Sequence, residues 1–222
     1  MLFGAISCAA VLHATGPDAA DQCIQHFLAQ DDTMPPYRAT RRLEAVNGDK
    51  SAWLEAVTDY SPRAGFHYEI TGEGGTGILR SKVMRAVLDG EREAIAKGEA
   101  ARSSLADANY AFQPDGIGDD GLASVLLTPK RKERALVAGH MFLQPDDGHL
   151  VRIEGQLAKS PSFWVKNVEI IRTYEWIDGV SMPVALQSHA QVKLMGTVSL
   201  RMTYSYSQIN GHPLDSQDHP AH

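Results

Sequence analysis

Cysteine is nearly absent from this chain. Cys8 and Cys23 are the only two, and no CxxC or Cys/His spacing suggests a zinc site. If the N-terminal segment is removed, Cys23 stands alone and no intramolecular disulfide can form, so burial must hold the fold together. An excess of basic charge is missing too: 21 Lys and Arg stand against 27 Asp and Glu, a formal net charge of −6. Such a surface has no general attraction for phosphate backbones, so nucleic acid is not an expected partner. The basic cluster Lys130, Arg131, Lys132 and Arg134 is interrupted by Glu133 and follows Pro129, which reads as a solvated turn.

Catalytic spacings are also lacking. Asp119-Asp120 and Asp146-Asp147 lie in turns, where Asp bonds its own backbone, and no acids recur as a paired-carboxylate site. Nine histidines are present, but His212, His219 and His222 fall in the tail and His13 in the leader. His26, His67, His140, His149 and His189 sit on separate elements and form no HxH, HxxxH or HExxH. There is no GxSxG elbow, and Ser103, Ser104 and Ser160 have no local partner. Gly72-Glu73-Gly74-Gly75-Thr76-Gly77 is a literal GxGxxG. A dinucleotide fingerprint would also need a parallel strand after the following helix with an acid at its end, so this run is expected to be a flexible strand-to-helix loop. No catalytic residue, metal or cofactor is expected.

What is present is an ordinary globular composition, 43% hydrophobic and 22% charged, in 222 residues. Met1 to Ala14 is a short uncharged apolar run ending in a small-x-small arrangement, with Thr15-Gly16-Pro17-Asp18 as a polar break. It reads as a signal segment, too short to span a bilayer, so export to the periplasm is expected; a lipid anchor at Cys8 is the minor alternative. Residues 15–210 are expected to form one domain and 211–222 a disordered polar tail.

Ala20, Cys23, Ile24, Phe27 and Leu28 paint one apolar stripe of a helix that Asp31-Asp32 and Pro35-Pro36 close. Asn47-Gly48-Asp49 between alternating runs predicts a hairpin, with a third strand at Phe66 to Thr71. Val83, Met84, Val87, Leu88 and Ile95 predict a helix over Ser81 to Lys97, capped by Ser81 and weakened at Gly90. From Asn109 onward seven strands are predicted, among them Phe163 to Trp176, Val184 to Met195 and Thr197 to Ile209. Val184, Leu186, Ser188, Ala190, Val192 and Leu194 are expected to share one face. The fold class is mainly β: a curled antiparallel sheet of about ten strands, with the N-terminal helix and the central helical insert on its concave face. Two helical segments are too few to blanket such a sheet, which predicts an apolar cavity. Trp53, Phe66, Tyr68, Met84, Leu88, Met141 and Met195 are its expected lining.

Several strings carry a family resemblance: Asn109-Tyr110-Ala111-Phe112, Leu127-Thr128-Pro129-Lys130-Arg131-Lys132 and Gly148-His149-Leu150-Val151-Arg152-Ile153-Glu154-Gly155. Ala158-Lys159-Ser160-Pro161-Ser162-Phe163 and Ile177-Asp178-Gly179-Val180-Ser181-Met182-Pro183 extend it. Tyr37 to Asn210 resembles the periplasmic lipoprotein-carrier superfamily, the LolA-like, outer membrane lipoprotein-sorting proteins. The resemblance implies a half-open antiparallel barrel lidded by helices, which holds acyl chains of lipid or lipidated protein without chemistry or nucleotide. It also implies an early-strand arginine that helps hold the lid closed, for which Arg38, Arg41 and Arg42 are the candidates. The expected partner is thus a lipid or acylated protein, and the expected state a monomer. The alternative is an envelope sensor or protein-interaction module with a filled core and a partner protein of the envelope or outer membrane.

Overall fold

Strict alternation along the strands decides the architecture. In β1 (Tyr37–Asn47) the residues Tyr37, Ala39, Arg41, Leu43 and Ala45 are buried, and the side chains between them face outward. The same period of two runs through β2 (Lys50–Ser61), where Ala52, Leu54, Ala56 and Thr58 turn inward. Such strands have one dry face and one wet face, which suits antiparallel pairing. The structure is a computed structural model that describes residues 17–30 and 33–214. The expected signal segment, the Asp31-Asp32 helix stop and positions 215–222 of the expected tail lie outside the described residues.

The chain runs α1 (Pro17–Ala29), β1, β2, β3 (Gly65–Gly75), α2 (Gly77–Leu79), a π-helical turn (Arg80–Met84), α3 (Arg85–Ala96) and α4 (Ala100–Ser103). Then come β4 (Tyr110–Ile117), β5 (Ala123–Pro129), β6 (Val137–Leu143), β7 (Leu150–Leu157), β8 (Val165–Ile177), β9 (Val180–Val192), β10 (Gly196–Ile209) and β11 (His212–Pro213). They form one eleven-stranded sheet in the order β3-β2-β1-β10-β9-β8-β7-β6-β5-β4, with β11 on β10. Strands β3 and β4 remain edges, so the antiparallel barrel is half open. Sequence neighbours pair through tight turns; the one long-range join is β1 with β10, which sets Leu43 opposite Met202. The three two-residue hairpins among the described residues use positive φ where a turn needs it: Gly48 at +59°, Asp178-Gly179 at +49° and +81°, and Asn210-Gly211 at +52° and +83°.

The helices cover the two flanks of the concave face. α1 packs on β4, β5 and β6 through Ala20, Cys23 and Ile24, and Cys23 remains a buried free thiol. Residues 77–96 lie on β1, β2 and β3, with Leu79, Met84 and Leu88 fully buried. The centre of the concave face, on β7 to β9, is left to other cover.

Several boundaries differ from the sequence expectation. The glycine run is not a loop: β3 extends to Gly75 and pairs with β2. Trp53 explains this, because its indole lies over the run, and a Cβ at Gly74 would come within 2.6 Å of Trp53 Nε1. Glycine here makes room for a ring on the outer face. The helix starts at Gly77 rather than Ser81, whose hydroxyl donates to the Gly77 carbonyl at 2.9 Å, and it continues through Gly90. Strand β8 begins after Phe163 and Trp164, which sit in a loop, and Leu194 leaves the β9 face for a turn at φ +69°. The expected tail starts with β11 instead, since His212 and Pro213 pair with Ile209 and Gln208.

Gly139 and Gly155 face each other across β6 and β7, and a Cβ on Gly139 would lie 2.1 Å from the Glu154 carbonyl oxygen. Gly139→Ala should therefore lower the unfolding free energy by about 2–3 kcal/mol, because backbone must move. Gly90→Ala meets nothing within 4 Å on a helix and should raise it by about 0.5–1 kcal/mol. Urea midpoints of the two variants against the parent check both signs.

Candidate functional site

The concave face is an apolar floor with one charged tie. Leu43, Leu54, Ala56, Phe66, Met84, Leu88, Val198, Leu200 and Met202 belong to one continuous core cluster. Arg41 points into it because its position in β1 has inward parity, and only 2% of it is exposed. Its Nη1 donates to Glu91 Oε2 at 2.5 Å and its Nη2 to Glu91 Oε1 at 2.9 Å, a bidentate pair from the strand to α3. Nη2 also donates to the Tyr37 hydroxyl at 2.6 Å. The guanidinium carbon lies 4.8 Å from the Phe66 ring centre and 4.6 Å from that of Tyr204. Burial alone would lower the Arg41 pKa, but the Glu91 hydrogen bonds and Tyr204 outweigh it, and the guanidinium stays charged. Burial pushes the Tyr37 hydroxyl well up, against the lowering from Arg41, so it remains protonated.

Other polar fastenings hold the same helix at its margin. The Tyr68 hydroxyl donates to Asp89 Oδ1 at 2.7 Å, and Glu73 of β3 takes Arg80 at 2.8 Å and Arg85 at 2.6 Å. These ties are partly exposed and worth little each.

A second arginine enters from the other side. Arg172 is on the inward parity of β8, in series with Val168, Ile170 and Tyr174. Tyr174 and then Tyr204 raise its pKa, against desolvation. It lines a cleft of about 290 Å³ between β6, β7 and β8 and the segment carrying Ser103 and Leu105. Val137, Ile153, Leu157 and Ile170 form the apolar wall; Arg134, Arg172 and Tyr174 form the polar one. A hollow of about 440 Å³ elsewhere, near Tyr37, Asp59 and His67, is the larger opening but a shallow one. Its polar groups are already matched, Asp59 with Arg38 and His67 with the Ala64 carbonyl, so the interior cleft is the better candidate.

The expected lining residues separate into two groups. Phe66, Met84, Leu88 and Met141 are buried in the main core cluster, and Tyr68 and Met195 pack against it. Trp53 does not join them: it has outward parity in β2, is 36% exposed and carries Arg42 over its ring at 4.5 Å. Of the early-strand arginines, Arg38 pairs with Asp59 on the surface and Arg42 reaches Glu44 and Glu55 there. Arg41 alone of the three points inward to the helix. Sequence reading passed over Glu91 and Arg172. Glu91 looked like an ordinary helix acid, and the signal for Arg172 was its inward parity in an otherwise apolar-alternating strand.

Among the described residues, no three His, Cys, Asp or Glu side chains come together as a metal site, and no helix is long and apolar enough to cross a membrane. No family model matches the chain, nor does any curated protein. Two solved structures are similar to it. One is a DUF1329 family protein from Desulfovibrio piger, 12% identical, with 85% of this chain and 89% of that one covered at a TM-score of 0.41. The other is a LolA superfamily protein from Nitrosomonas europaea, 9% identical, with 84% and 91% covered at a TM-score of 0.40.

The buried pair yields a sign prediction. Glu91→Ala leaves the Arg41 charge buried and should cost about 2–3 kcal/mol, below the fully buried range because Glu91 is a third exposed. Arg41→Met together with Glu91→Ala should be more stable than Glu91→Ala alone. A double-mutant cycle from urea unfolding checks this; a double variant weaker than either single would contradict it.

Proposed function

We propose that this protein is a non-enzymatic binder or carrier of an acyl chain, from a lipid or a lipidated protein, between its concave sheet face and the helix of residues 77–96. On this reading the helix is a displaceable plug, Arg41 is the lid contact and the protein acts in the periplasm after export. The observation that carries the reading is how the helix is held. Of its own side chains only Leu79, Met84 and Leu88 are fully buried, and its fastenings to the sheet are polar: the buried Arg41 with the partly exposed Glu91, and the partly exposed Tyr68–Asp89 and Arg85–Glu73 contacts.

The apolar energies are matched. Three buried side chains of this size contribute about 5–9 kcal/mol. A twelve-carbon chain laid on the same floor gains about 0.8 kcal/mol per methylene, on the order of 9 kcal/mol in all. An acyl chain could therefore offset the apolar part of the helix's loss, which leaves the Arg41–Glu91 pair as the remaining cost of displacement. Met141 and Met202 give the floor side chains that reshape easily.

A second reading, an interaction module with a permanently filled core, draws on a different feature. Phe163 is 72% exposed, Trp164 53% and Leu194 93%, at adjoining loops where Lys193 lies over both rings. A contiguous exposed apolar tip of this kind marks a contact surface.

Titration of delipidated protein with a fluorescent twelve- to sixteen-carbon fatty-acyl probe separates the two. Saturable uptake is expected, and faster uptake by Glu91→Gln, which weakens the tie without adding bulk. If neither protein takes up probe, the carrier reading fails. The interaction module then predicts a pull-down partner that is lost on replacing Phe163, Trp164 and Leu194 with serine.

A further inference from the structure

We infer that the ligand is an anionic amphiphile whose carboxylate or phosphate head sits in the cleft on Arg172, with Arg134 at the mouth, while its chain runs from there onto the floor beneath residues 77–96. This rests on the carrier reading and names the chemistry of the ligand's head, which that reading leaves open.

The argument is a charge count inside the concavity. Two guanidinium groups, Arg41 and Arg172, share the interior with one nearby carboxylate, Glu91. Both Glu91 oxygens are engaged by Arg41. Arg172 makes no ion pair among the described residues, and its Nε is buried with no hydrogen-bond partner among them. Its neighbours are the hydroxyls of Tyr174 and Tyr204, neutral groups that orient a charge without cancelling it. Arg172 is half-buried with its Nε out of solvent, and a cation so placed without a counter-ion carries a desolvation cost that an arriving anion reduces. A guanidinium presents a planar fork of donors that fits the two oxygens of a carboxylate or phosphate.

The surroundings say what the anion is attached to. In the cleft Arg172 has Ile153 directly opposite on β7 and Ile170 two residues before it on β8. A free inorganic anion would leave the apolar wall dry and unfilled, whereas an acyl chain would cover it. Arg134 belongs to the loop before β6, is exposed and makes no ion pair among the described residues, so it stands where the head would enter.

Calorimetric titration at equal chain length, below the micellar range, tests this with dodecanoate, dodecyl phosphate, methyl dodecanoate and dodecyltrimethylammonium. The two anions should bind at least about tenfold tighter than the ester and the cation, the contribution of one charged hydrogen-bonded contact. Arg172→Gln should bring the anions down to the ester and leave ester affinity unchanged, and Arg172→Lys should keep much of the preference. Should Arg172→Gln not fold, Arg134→Gln on the surface should still reduce the preference severalfold, and the parent comparison stands by itself. Equal binding of ester and anions overturns the inference while the carrier reading survives. Binding of none of the four overturns the carrier reading itself. Inorganic phosphate that binds as tightly as dodecyl phosphate would also overturn the inference, since the site would then serve a free anion.

Discussion

Among the described residues Arg41 is the one charged side chain with almost no exposure, and the arrangement of the concave face depends on how it is satisfied. A guanidinium at that depth cannot be left unpaired, so a carboxylate must come to it, and the inward carboxylate of β3, Glu73 opposite Leu54, is already taken by Arg80 and Arg85. Glu91 supplies it from α3, which fixes where along β1 and β3 the helix can rest. Leucines and methionines alone would tolerate sliding by a turn. The bidentate pair does not, because both Glu91 oxygens have assigned partners. A buried ion pair adds little net stability, so its effect is best described as registration of the helix on the sheet.

The half-open sheet then sets what remains accessible. Helices cover the two flanks, and the central strands keep a cleft where Arg172 emerges among Ile153, Ile170 and Tyr174. The chain ends of the strands differ in charge. Turns and loops at one end carry Lys130, Arg131, Lys132, Arg134, Lys159 and Lys193 against Asp49, Asp107 and Glu133, together with the exposed Phe163, Trp164 and Leu194. At the opposite end lie Asp119, Asp120, Asp146, Asp147 and Asp178. A chain with a net charge of −6 thus has a locally basic, apolar end, and the cleft opens beside it through Arg134. Field at such an end raises the local concentration of anions well before contact.

The antiparallel half-barrel was legible because it rests on alternation and turn chemistry, both local. Asn47-Gly48 and Asp178-Gly179 name their hairpins, and Leu186, Leu200 and Met202 name their face. What could not be read is whatever another strand decides. Gly72 and Gly74 look like a flexible loop until Trp53, a cross-strand neighbour, is placed over them. Trp53 itself looks like lining because of its size, yet parity puts it outside. Phe163 and Trp164 continue the apolar run of β8 in sequence, but the Ser162 carbonyl bonds Val165 N and the strand starts later. The site was legible only in part. Its apolar members follow from periodicity, whereas pairing Arg41 with Glu91, 50 residues away, requires the helix to be docked.

On the proposed carrier reading, helix displacement and head-group binding are linked through these same charges. When the helix leaves, Glu91 goes with it, and Arg41 then joins Arg172 as a cation without a carboxylate. An uncharged ligand would leave both guanidinium groups unpaired in a low-dielectric interior, which costs several kcal/mol per charge. An anionic ligand offsets part of that cost at the moment the helix departs. The displaced state is therefore far more accessible to a chain with a negative head than to a neutral one. Plugging the floor with a helix whose tie is a carboxylate makes the resident plug and an incoming anion alternatives for the same kind of partner.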